Sequence, residues 1–242
     1  MERITDIHMH VIPGVDDGAR SMEESLEMLR CSAEQGVDCV FATPHSFAFD
    51  YSPEEIRERF ARLQDRAGEL ARPMRLFLGC EIRIRPETVD ACIEALEKGR
   101  YPALGGSHCA LIEFDAYDCT QEDAELCARR VAAAGFTPVV AHAERYRFTS
   151  KEGAESLRIV GARIQINAYS IANERSGWIR ENARALLSAR LVDFIGTDAH
   201  RMDHRPPKIA EGVETLRLRF SEKYAAQICV GNPRQLLLRD AD

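Results

Sequence analysis

Seven short apolar runs recur along this chain, and each closes on an imidazole, a carboxylate or an amide. The first three cover residues 4–10 with His8 and His10, 39–43 continuing to His45, and 76–81 ending on Glu81. The other four cover 110–113 ending on Glu113, 138–142 ending on His142, 163–167 ending on Asn167, and 192–198 ending on Asp198 and continuing to His200. Runs this short are strand length, and helical patterns with legible ends separate them. Ser21 with Glu24 reads as a capping box for a helix stopping at Gly36. Ser52-Pro53 opens a helix whose stripe is Ile56, Phe60, Leu63 and Ala67, and residues 86–98 give a third. Thr120 and Ser150 start two more, 178–189 reads as a sixth, and helical segments follow from Pro207, Ala225 and Asn232-Pro233.

Strand and helix alternating seven times imply parallel strands joined by crossovers. The strands lack clean polar alternation, as in sheets covered by helices on one face and packed side chains on the other. The expected fold is α/β, a single distorted (β/α)7 TIM-like barrel with a metal site at the C-terminal mouth of its parallel strands. A doubly wound open sheet is the alternative and would place the site at the same strand ends. At 242 residues without a linker or low-complexity stretch, the expected organisation is one domain over 1–242.

A net charge of −7 argues against bulk affinity for nucleic acid or anionic membranes. It leaves room for a local basic pocket, because Arg145, Arg147, Arg201 and Arg205 lie close in sequence to the candidate ligands. The first residues enter a strand directly and no apolar run approaches the roughly 20 residues that span a bilayer. Eight cysteines without a C-x-x-C pair read as reduced, mainly buried thiols, so a cytoplasmic protein is expected. None has an arginine six positions downstream, so the C-x5-R thiolate-phosphatase loop is absent.

His8 and His10 stand two apart on a strand and point to one face, and Asp198 and His200 repeat that spacing on the last strand. A lone strand histidine is as readily a satisfied core residue. Ionised carboxylates at such positions are different, because burying one costs several kcal/mol unless a cation compensates. Glu81, Glu113 and Asp198 need cations, and these strands hold too few lysines and arginines to supply them. Divalent metal is the simpler compensation. The loop Gly14-Val15-Asp16-Asp17-Gly18 fixes a turn beside the mouth, with Asp17 a candidate ligand and Asp16 more simply a helix cap.

Asp6-Ile7-His8-Met9-His10, the Asp16-Asp17-Gly18 loop, Ala42-Thr43-Pro44-His45 and Gly79-Cys80-Glu81-Ile82-Arg83 resemble motifs of the polymerase-and-histidinol-phosphatase (PHP) superfamily. With Ala141-His142-Ala143-Glu144-Arg145-Tyr146, Gln165-Ile166-Asn167-Ala168 and Thr197-Asp198-Ala199-His200, they are similar to one branch. That branch is the metal-dependent tyrosine-protein phosphatases of bacterial capsule and exopolysaccharide gene clusters. The resemblance runs in order from about residue 6 to Asn232-Pro233.

It implies a (β/α)7 barrel and three divalent ions, usually Mn²⁺. Carried over by position, His8, His10, Glu81 and Asp198 would hold one ion, and Asp17, His45 and His200 a second. Glu81 would bridge to a third shared with Glu113 and His142, while Arg145 and Arg205 would grip phosphate. Mixed carboxylate and imidazole donors admit Fe²⁺ and Zn²⁺ as well. Ala143 replaces the branch's proline, which is expected to loosen the turn that aims Arg145, and residues 46–51 also depart from its pattern. His108 precedes its strand and is taken as a non-ligand. Asp6 is a candidate to orient a ligand imidazole, and Phe47, Phe49 or Tyr51 is a candidate to stack on the substrate ring, with plain loop packing as the alternative.

The activity implied is hydrolysis of phosphotyrosine in a protein, with a tyrosine kinase tail as the expected partner. One alternative is a phosphatase for a small ester such as histidinol phosphate, or a phosphodiesterase. Those branches normally carry histidine where Asp17 and Glu113 stand. A second is a non-catalytic module that binds a phosphorylated tail. A third is an amidohydrolase-like barrel, which would want a bridging lysine absent from these strand ends.

Overall fold

The computed structural model describes residues 3–47, 51–172 and 177–237. Among them eight strands, all parallel to their neighbours, form two sheets. β1 (Ile4–Met9), β2 (Val37–Ala42) and β3 (Arg75–Leu78) make the first in that order. β4 (Glu81–Arg83), β5 (Cys109–Glu113), β6 (Thr137–Val140), β7 (Arg163–Asn167) and β8 (Phe194–Gly196) make the second. Backbone hydrogen bonds join the sheets at both seams. Asp198 N donates to His8 O and His10 N to Ala199 O, each at 2.8 Å, and Glu81 N donates to Pro44 O at 3.0 Å.

The helices are α1 (Met22–Glu34), α2 (Pro53–Gly68), α3 (Val89–Glu97), α4 (Gln121–Ala133), α5 (Lys151–Ile159), α6 (Ala168–Ala172), α7 (Trp178–Ser188), α8 (Ala210–Arg219), α9 (Glu222–Ala226) and α10 (Asn232–Gln235). The stripe expected for α2 is its buried face, and Ser52 and Glu55 close a reciprocal cap at its start. Thr120 and Asp123 do the same for α4. None of the described helices is long and apolar enough to cross a membrane. All eight cysteines are free thiols.

Four expectations need correction. The run 76–81 is not one strand, because Gly79-Cys80 interrupts it. A side chain at Gly79 would meet Leu104 Cδ2 at 2.9 Å and Thr43 Cγ2 at 3.1 Å, so the backbone passes there by close approach. At Ser21 the cap is one-sided: Ser21 accepts from Glu24 N, but the Glu24 carboxylate turns to Arg20 N at 2.9 Å. α3 starts at Val89 rather than Pro86, since Thr88 N donates to Arg85 O at 3.0 Å and holds 85–88 as a separate turn. Finally, α6 follows β7 directly and was not expected.

The sheets pack against the helices on one face. On the other, Ile7, Phe41, Leu111, Val139 and Phe194 belong to a second, separate apolar cluster. Strand alternation sets which side chains come next on that face. Phe41 shares its face with His45, Leu111 with Glu113, and Phe194 with Asp198 and His200, so an apolar plug gives way to chemistry at the strand ends. In β1 the register shifts between Asp6 and Met9, which lets Ile7 join the plug while His8 and His10 turn to the site.

Candidate metal centre

Four side chains from three strands converge on one point. His8 Nε2 lies 3.3 Å from Glu81 Oε1 and 3.6 Å from Asp198 Oδ1. His10 Nε2 lies 3.2 Å from Glu81 Oε2 and 3.5 Å from Asp198 Oδ1. One ligand atom from each of these four residues lies within 4.8 Å of the others. His10, Asp17, His45 and His200 form a second such group, and His45, Glu81 and Glu113 a third. In the second, His45 Nε2 and His200 Nε2 each stand 3.5 Å from Asp17 Oδ1.

The third group differs from the set the resemblance implies. His45 Nδ1 sits 3.0 Å from Glu81 Oε2 and 3.3 Å from Glu113 Oε1. His142 Nε2 lies 2.7 Å from Glu81 Oε1 but 3.9 Å from Glu113 Oε2. All nine candidate ligands therefore meet, with His45 reaching towards two groups at once.

The donors fit divalent cations. Despite their 3.0 Å approach, His45 Nδ1 and Glu81 Oε2 are buried without a hydrogen-bond partner. His8 Nε2 and His10 Nε2 face each other at 3.2 Å. Converging lone pairs of nitrogen and carboxylate oxygen are the donor set of first-row ions. The other ring nitrogens are held from behind. His10 Nδ1 pairs with Asp16 Oδ2 at 2.8 Å, His8 Nδ1 with Gln165 Oε1 at 3.3 Å, His142 Nδ1 with Tyr146 Oη at 3.2 Å and His200 Nδ1 with Asp198 O at 2.9 Å. Holding Nδ1 in this way presents Nε2 to the cluster in each case.

Electrostatics follow the geometry. Burial alone would raise Glu81, but the charge of His8 and the close approach of His10, His142 and His45 hold it well below the usual carboxylate range. Asp198 is held well down against burial, chiefly by His8 and His10. Burial opposes the charge on His45 as well, yet Glu113 and Glu81 push it up to about 9. Asp16, buried but facing His10, is lowered to about 2.

Arg145 and Arg205 both reach the site. Their Nη1 atoms donate to Asp198 Oδ2 at 3.0 and 2.9 Å, and Asn167 Nδ2 donates to the same oxygen at 3.1 Å. Asp198 thus faces histidines with one oxygen and guanidiniums with the other. His142, Asp198 and Arg205 have φ of 34°, 52° and 57°, a left-handed strain concentrated at the site. Arg147 instead stacks over Trp178 at 4.9 Å, and Arg201 turns towards Asp203. Ala143 does not leave its turn open, since it is buried and Arg145 N closes onto His142 O at 2.9 Å.

Other site candidates move. Asp6 touches no imidazole. Its carboxylate accepts from Thr197 N at 2.9 Å, Thr197 Oγ1 at 2.6 Å and His8 N at 3.2 Å, so it fixes backbone rather than a ring. Tyr51 packs under Arg59, 4.8 Å from ring centre to guanidinium, and does not line the cavity. Phe47 does line it and stacks on His45 at 4.6 Å. Phe49 lies outside the described residues. His108 lies against Phe136, away from the ligands. The cavity over the cluster has a volume of about 450 Å³ and an open rim that includes Arg83 and Tyr117.

Sequence reasoning passed over Asp16, Gln165 and Tyr146, the residues behind His10, His8 and His142. It also passed over Glu144, a buried carboxylate accepting from Asn167 N at 3.2 Å and Ser170 Oγ at 2.7 Å. Gln165 carried one usable signal, sharing a strand face with Asn167.

The family described as "Capsular polysaccharide synthesis, CpsB/CapC" matches residues 4–238. Tyrosine-protein phosphatase CpsB of Streptococcus pneumoniae is 32% identical over 242 residues, covering 96% of this chain and 98% of that protein. Tyrosine-protein phosphatase YwqE of Bacillus subtilis (strain 168) is 30% identical, covering 97% and 91%. The solved structures of YwqE from Bacillus subtilis and CpsB from Streptococcus pneumoniae, described as unique metal-dependent tyrosine phosphatases, include a chain that superposes with a TM-score of 0.86. It is 29% identical over 97% of this chain and 94% of that one. The lactonase Lmo2620 from Listeria monocytogenes superposes at a TM-score of 0.60 with 13% identity over 99% and 95%, a likeness of fold alone.

Proposed function

The chain belongs to the CpsB/CapC family of capsular polysaccharide synthesis, and from that premise we propose that it is a metal-dependent tyrosine-protein phosphatase. One observation carries the reading: seven ligand-type side chains and two guanidiniums line one open cavity, with His8 and His10 buried behind them against Glu81 and Asp198. We assign His8, His10, Glu81 and Asp198 to one ion and Asp17, His45 and His200 to a second, with His10 within reach. Glu81, Glu113 and His142 take the third, with His45 at its edge. We assign Mn²⁺ to these sites, and the mixed carboxylate and imidazole donors admit Fe²⁺ or Zn²⁺ as well.

Ions bound there would act as Lewis acids and lower the pKa of a water from about 15.7 towards neutrality. The chain's own residues do the rest. Arg145 and Arg205 share Asp198 Oδ2. That shared contact aims both planar forks at the place where phosphoryl oxygens would sit. Charge stabilisation and alignment are what phosphoryl transfer mainly requires, so no protein nucleophile is needed. A phenolate leaving group (pKa about 10) also demands less proton donation than an alkoxide.

The hydrogen bonds across both seams support a closed, distorted (β/α)7 barrel, with β3 and β4 as halves of one stave, forming a single domain over 1–242. The net charge of −7 favours a protein partner over nucleic acid or an anionic membrane surface. We assign a phosphotyrosine-bearing tyrosine kinase tail as that partner and the cytoplasm as the compartment. Turnover of a phosphotyrosine peptide and of histidinol phosphate, measured side by side, tests the assignment. Reaction of the alkyl ester alone points to a small-molecule phosphatase. Binding of the peptide without turnover of either points to a regulatory module.

A further inference from the structure

We propose that Phe47, Arg83 and Tyr117 form a collar that grips the phenyl ring of the substrate and makes the cavity select aryl over alkyl phosphate esters. This rests on the phosphotyrosine reading above. All three residues line the catalytic cavity. They leave the ends of β2, β4 and β5, and β4 sits between the other two, hydrogen-bonded to the extension of β2 through Glu81 N and paired with β5. Neighbouring strands in a sheet lie side by side, so the segments leaving β2, β4 and β5 bring Phe47, Arg83 and Tyr117 to one side of the cavity.

The exposure of these rings is the second observation. Tyr117 is 96% exposed and Phe47 53%, at the border of a cavity lined mainly by carboxylates, imidazoles and guanidiniums. Phe47 has one face committed, stacked on His45 at an interplanar angle of 22°. Its remaining exposed surface and that of Tyr117 lack an apolar partner that a substrate ring would supply.

The collar is also pre-organised, by Asp115. Its Oδ1 accepts from Tyr117 N at 3.0 Å and Asp118 N at 3.3 Å, fixing the turn that carries Tyr117. Its Oδ2 accepts from Arg83 Nη2 at 2.9 Å and Arg85 Nη2 at 3.2 Å. One carboxylate thus fastens two of the three collar residues. It engages the Arg83 guanidinium at its edge, and a planar cation held by its edge keeps a face for a ring. An alkyl ester would reach the same floor without filling the collar.

The test uses the full-length, metal-loaded protein and two competitive inhibitors that cannot be turned over, phenylphosphonate and methylphosphonate. In the wild type the phenyl compound binds more tightly. Tyr117→Ala reduces that preference roughly 2- to 12-fold, the span of one aromatic contact, and Tyr117→Phe restores it. Metal content stays at the wild-type level, because Tyr117 touches no ligand. Equal affinity for the two phosphonates in the wild type, or an undiminished preference in Tyr117→Ala, overturns the collar. Wild-type turnover of a phosphotyrosine peptide is measured alongside. If it is absent, the phosphatase reading falls together with the collar; if it is present while the preference is unmoved, the collar alone falls.

Discussion

Asp16 Oδ2 lies 2.8 Å from His10 Nδ1 and also accepts the backbone N–H of His45 at 3.1 Å. One carboxylate thereby sets the ring orientation of one candidate ligand and the backbone of another. Its other oxygen takes Gly18 N at 3.0 Å, and Gly18 has no room for a side chain, since a Cβ there would meet His10 O at 2.2 Å. Replacing Asp16 by alanine is expected to weaken metal affinity about 10- to 100-fold while the fold persists. Mn²⁺ titration calorimetry on the variant checks this, and wild-type affinity would exclude the role.

Arg145 contacts Asp198 Oδ2, whereas the histidines face Oδ1. Arg145→Ala leaves Arg205 and Asn167 on that oxygen, so metal content should be retained. Turnover should fall by about 10²-fold, the usual cost of removing one preorganised donor to a transition-state oxygen. Loss of metal in this variant would show that the guanidinium is structural.

Proton and metal compete for the same site. In chelator-stripped protein, His45 carries a proton with a pKa pushed up to about 9 from an ordinary 6.5. A folded-state value above the unfolded one stabilises fully below pH 6.5, and the contribution is lost as pH rises through about 9. His200, held down to about 4 by burial and then by the charge of His10, acts in the opposite sense and only below pH 6.5. The melting temperature of stripped protein should therefore fall between pH 6.5 and 9, while that of Mn²⁺-loaded protein stays flat. Parallel curves for the two forms would contradict this.

Burial pushes Cys39 and Cys127 up to about 12 and Cys80 well above the usual thiol range. Cys31, Cys109 and Cys119 are only half-buried, yet none lines the catalytic cavity. Iodoacetamide should label these three at most and leave turnover intact. Inactivation in proportion to labelling would point to thiolate chemistry instead.

Several ligand-bearing strand ends were legible because their ligands follow strand alternation. Phe41 and His45, or Phe194 and Asp198, are the same face read a few residues further along. The break at Gly79-Cys80 was not legible, since it comes from the approach of Leu104, distant in sequence. Gln165 and Tyr146 were missed for a related reason. Amides and phenols are ordinary in sequence, and only tertiary packing brings them behind His8 and His142. Asp16 reads as a cap because a capping carboxylate and a histidine-orienting one share the same local turn. Asp6 errs the other way: its parity with His8 is real, but the register shift in β1 directs its carboxylate to Thr197.

The central claim is that the convergent cluster is a metal centre on which turnover depends. Elemental analysis of the purified protein, combined with turnover of a phosphotyrosine peptide before and after exhaustive chelation, tests it most directly. The expected result is divalent metal approaching three ions per chain, with activity abolished by the chelator and restored by Mn²⁺. Undiminished turnover by protein free of divalent metal would contradict it.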